Sequence, residues 1–262
     1  MNNRPVAFFD SGIGGLPYLA WFRQALPQER LLYCADTSHF PYGEKSAGQV
    51  REIVITLVEK IISLADPKLF VIACNTASVS SLAALRETFD LPFVGVVPAV
   101  KPAARISKKR TIGLMATDRT VEEAYTDNLI EMFAGDCKIM KYADGEIVDF
   151  VENRMLDAPP SEKLLLLQRA VTALKGVDAV VLACTHFIHL KDDLKALFGP
   201  DVEVVDSVEG VGRQAVKMTR GCGFRNAPEE KGLFYTTGGT DREKTYRRRA
   251  EQYGLSFMGV LD

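Results

Sequence analysis

The stretch FVIACNT, residues 70–76, is an apolar run that ends in a cysteine, an amide and a hydroxyl. A similar stretch, VVLACTH, occupies residues 180–186, so Cys74 and Cys184 hold equivalent places 110 residues apart (184 − 74). Short β-branched runs of this kind are typical of strands buried on both faces of a parallel sheet. Residues with helical periodicity follow each run, and a repeated succession of strand and helix predicts an α/β protein.

Two further pairs of stretches repeat in the same order. LLYCAD (31–36) resembles IMKYAD (139–144) at an offset of 108, and the strand that ends at Asp10 resembles the one that ends at Thr117, at an offset of 107. Any two buried parallel strands look alike, so each match alone is weak. Three ordered matches at nearly constant offset predict an internal repeat.

The repeat predicts two pseudo-symmetric parallel-sheet lobes. We expect one lobe from residues 1–97 plus 210–262 and the other from 98–209, joined where Pro98, Pro102 and a basic run interrupt the periodicity. A helix is expected over 47–64, and a further strand over 232–237, with another helix beyond it. The other expected strands are 6–9, 31–34, 70–73, 93–97, 111–115, 139–142, 179–183 and 202–205.

Composition narrows the function classes. Hydrophobic residues make up 47% and charged residues 25% of the chain, and the formal net charge of −2 gives no reason to expect a nucleic acid or an anionic membrane as partner. No apolar run approaches the roughly 18 residues that a membrane span needs. Five cysteines, an odd number, without a signal sequence indicate reduced thiols in the cytoplasm.

Polar side chains follow the predicted strands where they end, which is where ligands bind in open parallel sheets. The residues at these strand ends are Asp10, Ser11, Cys74, Asn75, Thr76, Thr117, Cys184, Thr185 and His186. A cysteine at the start of a helix has a lowered pKa and favours thiolate. A buried cysteine that acts only as a small hydrophobe is the alternative for either residue taken alone. Equivalent placement of the two cysteines favours a functional role.

Four motifs together resemble the successive signatures of bacterial glutamate racemases, the cofactor-independent members of the aspartate/glutamate racemase family. They are FDSGIGGL (9–16), CADTSHFPYGEKS (34–46), ACNTAS (73–78) and ACTHF (183–187). The resemblance runs from residue 5 to about 210 in family order, and TTGG (236–239) fits it more loosely.

The resemblance implies a substrate in the cleft between the lobes, no cofactor, and Cys74 and Cys184 as the two proton acceptors and donors. It implies that Glu152, in DFVEN, assists one thiol, although Asn153 stands where the family often has glycine. It also implies D-glutamate supply for peptidoglycan, and a homodimer. The residues it implies for substrate binding are Asp10, Ser11, Pro41, Tyr42, Gly43, Asn75, Thr76, Thr117, Thr185 and His186.

The chemistry is consistent with these roles. Racemisation removes a proton from one face of the α-carbon and returns one to the other, and two opposed bases do this without moving around the substrate. Asp10 and His186 are the candidates for moving protons or tuning each thiol. We expect the turn at Pro41, Tyr42 and Gly43 to hold the side-chain carboxylate of glutamate through backbone amides.

Three alternatives compete with this interpretation. The same two-thiol chemistry could act on aspartate or another carboxylic acid. The chain could instead be chiefly a binding or regulatory protein with a degenerate site, since some relatives bind gyrase. Cys184, His186 and His189 could be zinc ligands, but the set is one ligand short of a closed site, so no metal is expected.

Overall fold

The first strand, β1 (Val6–Asp10), is buried along its whole length, as a central strand of a parallel sheet must be. It lies in a computed structural model that describes residues 2–225, 230–239 and 242–261. The described residues form two compact units. The first takes its residues from Met1–Val96 and Val208–Asp262, and the second is Val97–Ser207.

The first unit has one six-stranded sheet. Its elements up to the second unit are β1, α1 (Leu16–Ala25), β2 (Leu31–Ala35), a 3-10 helix (Tyr42–Glu44), α2 (Ala47–Ala65), β3 (Leu69–Ile72), α3 (Asn75–Thr88) and β4 (Phe93–Gly95).

The second unit has one four-stranded sheet. Its elements are α4 (Val100–Ile106), β5 (Thr111–Ala116), α5 (Asp118–Glu122), α6 (Ala124–Ala134), β6 (Lys138–Ala143), α7 (Gly145–Asp149), a π-helix (Phe150–Arg154), α8 (Pro160–Ala173), β7 (Ala179–Leu182), α9 (Thr185–Ile188), α10 (Lys191–Phe198) and β8 (Glu203–Val205).

The chain then returns to the first unit with α11 (Val208–Cys222), β9 (Gly232–Thr237), α12 (Glu243–Gln252) and β10 (Leu255–Leu261). In this unit α11 packs against α1, where Gly212 leaves room for the ring of Trp21. None of the helices in the described ranges is both long and apolar enough to cross a membrane.

All strand pairs are parallel, which confirms the predicted α/β class with two parallel sheets. The first sheet has the order β10-β9-β2-β1-β3-β4 and the second β6-β5-β7-β8. In each, the first strand of the unit lies between its second and third, and the fourth follows at the edge. The repeat in sequence is therefore a repeat in topology, with β9 and β10 added to the first sheet.

The pairing corrects one predicted equivalence. Phe9 pairs with Ile72 in the first sheet, and Met115 pairs with Leu182 in the second. Since residues 72 and 182 correspond across the repeat, Phe9 corresponds to Met115, an offset of 106 (115 − 9). Thr117 is thus the counterpart of Ser11, one residue away from the predicted match to Asp10.

Local sequence signals set the long helix α2. Ser46 and Gln49 form a capping box, in which the Ser46 hydroxyl accepts from the Gln49 amide and the Gln49 side chain accepts from the Ser46 amide. The helix then buries a stripe at helical spacing against the first sheet, and each such side chain contributes roughly 1.5–3 kcal/mol. The stripe is Val50, Val54, Leu57, Val58 and Ile61.

Two elements of the structure were not predicted from the sequence. The proline-containing stretch that starts at Pro98 includes the helix α4, because Pro102 lies in the first turn, where a helix loses no hydrogen bond to proline. The strand β10 was not predicted, because its alternation is broken by a bulge between Phe257 and Gly259, where Gly259 has a φ of 101°.

Candidate active site

Cys74 lies where β3 gives way to α3. It is the residue before the first turn of that helix, and its side chain is buried. The Ser11 hydroxyl lies 3.9 Å from its sulfur. The next residue, Asn75, is 3% exposed, and neither its side-chain nitrogen nor its oxygen has a hydrogen-bond partner among the described residues. Thr76 is buried beside it, so this strand end gathers a thiol, two hydroxyls and an amide.

The loop after β1 places Ser11 against that thiol. The Asp10 carboxylate, which is fully buried, accepts the Ser11 amide at 2.7 Å and its hydroxyl at 3.3 Å. The buried Tyr33 hydroxyl holds the following glycines, because it donates to the Gly12 carbonyl at 2.7 Å and accepts the Gly15 amide at 3.1 Å. A Cβ on Gly15 would lie 2.7 Å from that of Ala73, so only glycine lets α1 start this close to the residue before Cys74.

A second loop of the first unit carries Pro41, Tyr42 and Gly43. Pro41 follows a cis peptide bond, and Tyr42 begins the 3-10 helix with its ring buried. The Tyr42 hydroxyl donates to Asp36 at 2.5 Å, and burial, followed by the charge of Asp36, holds the tyrosine pKa well above its ordinary value. Because the Tyr42 hydroxyl already bonds to Asp36, the backbone of the turn is the part that can bind a ligand.

Asp36 is the residue that organises this loop. Its buried carboxylate accepts from Tyr42, from the Thr237 hydroxyl and, at 2.9 Å, from His39 Nδ1. The hydroxyl of Thr237 also accepts the amide of Ser38 at 3.1 Å. The loop is therefore tied to the end of β9, which gives the TTGG stretch a structural role.

Cys184 holds the same position in the second unit, as the buried residue before α9. Thr185 and His186 follow in the first turn, both buried. His186 Nε2 lies 2.8 Å from Glu152 Oε2, and Glu152 is 1% exposed within the π-helix. Burial lowers the His186 pKa, but hydrogen bonds to Cys184 and Glu152 together with their charges outweigh it and raise the pKa well above 6.5.

Thr117, another predicted site residue, caps a helix of the second unit. Its hydroxyl caps α5 by accepting the Thr120 amide at 3.3 Å, and it lies 3.1 Å from the Thr120 hydroxyl. The side chain is only half-buried. Its counterpart Ser11, by contrast, lies near a thiol.

The remaining cysteines have different surroundings. Cys34 is buried in the core under α2, and burial, then the charge of Asp36, raises its thiol pKa. Cys137 and Cys222 are half-buried, and none of the five cysteines, all of which lie in the described ranges, forms a disulfide. Across the ranges 2–225, 230–239 and 242–261, no three His, Cys, Asp or Glu side chains gather into a metal-binding group, and this includes the set around Cys184.

The structure thus gathers most of the predicted residues into two clusters, one in each unit, and each cluster is called a half-site. Asp10, Ser11, Cys74, Asn75 and Thr76 gather in the first, and Cys184, Thr185, His186 and Glu152 in the second. Sequence reasoning missed Tyr33 and Asp36, which hold the two loops of the first half-site. The only available signal for them was their place beside the motif CADTSHFPYG: Tyr33 lies on β2 directly before the motif, and Asp36 follows the end of β2 within it.

The chain is similar throughout to known racemases. The family model for Asp/Glu/hydantoin racemases matches residues 18–215. The glutamate racemase of Treponema pallidum (strain Nichols) is 36% identical over 260 residues, covering 98% of this chain and 96% of the relative. That of Sodalis glossinidius is 41% identical over 260 residues, covering 98% and 86%.

A solved structure agrees with these matches. The crystal structure of Escherichia coli glutamate racemase, in complex with L-glutamate and the activator UDP-MurNAc-ala, superposes with a TM-score of 0.90 at 35% identity and covers 98% of each chain. Sequence and fold agree over nearly the full length, which confirms the resemblance seen in the four motifs. This chain belongs to the Asp/Glu/hydantoin racemase family and is an isomerase.

Proposed function

We propose that this chain interconverts L- and D-glutamate with Cys74 and Cys184 as its two bases. The observation that carries the proposal is the equivalent placement of two buried thiols, each at the third strand of a unit and directly before a helix. The choice of glutamate is supported by the relatives, which are named glutamate racemases, and by the L-glutamate held in the E. coli structure.

The proposed chemistry moves one proton off and one proton on. A thiolate takes the α-proton, so a C–H bond breaks and an S–H bond forms, and the opposite thiol gives its proton to the other face of the α-carbon. The reverse reaction exchanges the roles of the two cysteines. The proposal requires both thiols to reach the same α-carbon.

His186 and Glu152 support the role of Cys184. With its pKa raised, the imidazole is protonated near neutral pH and can stabilise a thiolate at Cys184 or return a proton to it, while the Glu152 carboxylate balances its charge. In the first unit, Asp10 holds the Ser11 hydroxyl beside Cys74. Asp10 is the group proposed to move protons there.

Donors around the α-carboxylate must stabilise the developing carbanion, because the proposal includes no electron-sink cofactor. The hydroxyls of Ser11, Thr76 and Thr185 and the unpartnered amide of Asn75 are proposed for this. The first amides of a helix have no acceptor within it, and both cysteines precede a helix start, so backbone donors are available at the same places.

The side-chain carboxylate of glutamate is proposed to bind at Tyr42 and Gly43. They begin a 3-10 helix, whose first amides have no acceptor in the turn. Gly43→Pro removes one amide donor, and the loss of a charge-assisted hydrogen bond of about 1.5–3 kcal/mol should raise KM for glutamate more than tenfold. Unchanged kinetics in this variant would sink the assignment of this turn.

Proton exchange in D₂O tests the two-thiol mechanism. L- or D-glutamate is followed by NMR, with no pyridoxal phosphate added, for wild type, Cys74→Ser and Cys184→Ser. The matched controls are Cys222→Ser in the first unit and Cys137→Ser in the second, both half-buried thiols outside the half-sites.

Deuterium at the α-carbon with inversion is expected in wild type and both controls, and inversion should be lost in each half-site variant. Activity that survives in Cys74→Ser or Cys184→Ser would contradict the mechanism. Turnover of aspartate but not glutamate would favour the neighbouring specificity, and no exchange with any acid would favour a binding protein.

The wider biological role is part of the proposal. We place the enzyme in the cytoplasm, where cysteines stay outside disulfides as these five do, and propose a homodimer that supplies D-glutamate for peptidoglycan. Growth of a D-glutamate-requiring bacterium on this chain tests the supply, and its mass in solution tests the dimer.

A further inference from the structure

The segment that carries Glu152 has an unusual turn. Helix α7 runs without a break into the π-helix, where the Met155 amide donates to the Phe150 carbonyl, five residues back, at 2.8 Å. An α-helix bonds four residues back and rotates about 100° per residue. If this turn reverted to an α-helix, residues on its two sides would rotate relative to each other by about that angle. The contact between Glu152 and His186 therefore depends on the wider turn.

One arginine connects the two ends of this turn. Arg154 Nε donates to Asp149 Oδ2 at 3.1 Å, and its guanidinium lies 5.6 Å from the centre of the Phe150 ring. A terminal nitrogen of the same guanidinium donates to Glu162 on α8. The turn is thereby fastened to itself and to the next helix.

A second side chain joins the same carboxylate. Asn153, which stands where the family often has glycine, donates from Nδ2 to Asp149 Oδ1 at 2.5 Å. Both oxygens of Asp149 are thus occupied by residues four and five positions later. This pattern matches a turn that is one residue wider than an α-helical one.

We propose that Arg154 is a positioning residue that holds the π turn, and with it Glu152, in the register that meets His186. The proposal deepens the proposed function and rests on the role of Glu152 and His186 in it. Arg154, Asp149 and Glu162 are half-exposed, and ion pairs at such positions contribute little to global stability. Their loss should therefore disturb the local register without unfolding the second unit.

The test compares Arg154→Met with a matched control, Arg247→Met. Arg247 makes the same kinds of contact in the first unit, with Glu243 accepting its Nε at 2.8 Å and the Phe257 ring centre 4.7 Å from its guanidinium. Three measurements are made on each variant: the melting temperature, kcat against pH, and the NMR titration of the imidazoles. The chain has only three histidines, so the His186 signal is identified by its loss in His186→Asn.

In Arg154→Met we expect kcat to fall at least tenfold and the His186 pKa to move down toward its ordinary value, because Glu152 no longer supports the protonated ring. Its melting temperature should match that of Arg247→Met, which should keep wild-type kcat and the wild-type His186 titration. Arg154→Lys, which keeps the charge but lacks the rigid planar fork that meets Asp149 and Glu162 from separate nitrogens, should recover part of kcat.

A double variant shows whether Arg154 acts through Glu152. When Glu152→Gln is already present, Arg154→Met should cost little further kcat, because residues that act as one unit are not additive. If the fold loss of kcat in the double variant equals the product of the losses in the two single variants, the proposal is overturned. A wild-type titration of His186 in Arg154→Met overturns it as well. If Arg154→Met does not fold, Asp149→Asn weakens the same contact and is measured in its place.

The His186 titration needs no turnover, so it separates the two proposals. A chain that does not racemise glutamate but shifts its His186 pKa in Arg154→Met refutes only the proposed function. A chain that racemises glutamate but keeps the His186 pKa refutes only the positioning role.

Discussion

Replacing Gly15 by alanine tests whether the close packing between the start of α1 and the end of β3 is needed for the position of Cys74. Gly15 has ordinary helical dihedral angles, with φ of −78° and ψ of −9°, so alanine meets no backbone strain there. The obstacle is space. A Cβ would lie 2.7 Å from Ala73 Cβ and 3.0 Å from both the Ala73 carbonyl oxygen and the Tyr33 hydroxyl.

The expected cost follows from these contacts. Overpacking a rigid core costs about 1–3 kcal/mol. Displacing the Tyr33 hydroxyl, which accepts the Gly15 amide at 3.1 Å, leaves buried polar groups unsatisfied at about 1–3 kcal/mol more. The sum of roughly 2–6 kcal/mol corresponds to a melting temperature lower by roughly 4–24 °C for a chain of this size. Because Ala73 precedes Cys74, we also expect kcat/KM to fall at least tenfold at a temperature where the variant is folded.

Gly48→Ala is the matched control, since Gly48 lies in the first turn of α2 with nothing within 4 Å of a new Cβ. The same substitution there should stabilise the chain by about 0.4–1 kcal/mol. Thermal unfolding by circular dichroism and the D₂O exchange assay measure both variants. A wild-type melting temperature and kcat/KM in Gly15→Ala, or shifts of the same sign in both variants, would refute the steric argument.

Three further predictions concern stability. Lys68 and Glu29 form a buried ion pair at 2.6 Å, so Lys68→Met should lower the free energy of unfolding in urea by about 3–5 kcal/mol, and adding Glu29→Gln should recover part of the loss; no recovery would contradict this. Tyr42 has a raised pKa, so its stabilisation is present below its ordinary pKa of about 10 and is lost as pH rises through the folded value. As pH rises above about 10, the melting temperature of Tyr42→Phe should therefore fall less than that of wild type. An equal fall of the melting temperature with pH in both proteins would refute this. The pKa of His186 is raised too, so its contribution to the stability of the folded state is complete below about pH 6.5 and declines as pH rises through the folded pKa. The melting temperature of His186→Asn should not show this decline. Parallel curves of melting temperature against pH in the variant and wild type would disprove the prediction.

The central strands could be predicted because each is a short β-branched run buried on both faces. β1 differs from its predicted bounds by one residue at one end, β3 is shifted by one residue at both ends, and β9 agrees at both ends. The elements that could not be predicted are those whose sequence pattern is interrupted. A bulge hides the alternation of β10, and Pro102 reads as a break although it lies in a first helical turn, so position within the helix outweighed residue type.

The half-site residues were predictable where they share a short motif and not where distant segments meet. Cys74 and Cys184 were predicted from the repeat, and the structure places both at equivalent strand ends, while their role as bases stays a prediction. The bond between Thr237 and Asp36 joins residues 201 positions apart, and no spacing in the sequence announces it. The wide turn around Glu152 was equally hidden, since the side chains of Asp149 and Arg154 that span it look like ordinary surface charges.

The two units repeat the same strand order but differ in the residues beside each cysteine, so the two thiols need not behave alike. Cys74 and Cys184 occupy the same place in the same strand order, so duplication accounts for two thiols at equivalent positions. Two residues after each cysteine the units differ, with Thr76 in the first and His186 in the second. The second unit adds a buried charged partner, Glu152, on a turn that has no counterpart described in the first unit. A racemase of this kind needs one thiolate and one thiol at the same time. In the proposed mechanism this inequality comes from the buried pair of His186 and Glu152 beside Cys184, whereas the residues described beside Cys74 are Ser11 with Asp10 and no histidine. Exchanging Thr76 and His186 should therefore disable the enzyme even though both thiols remain.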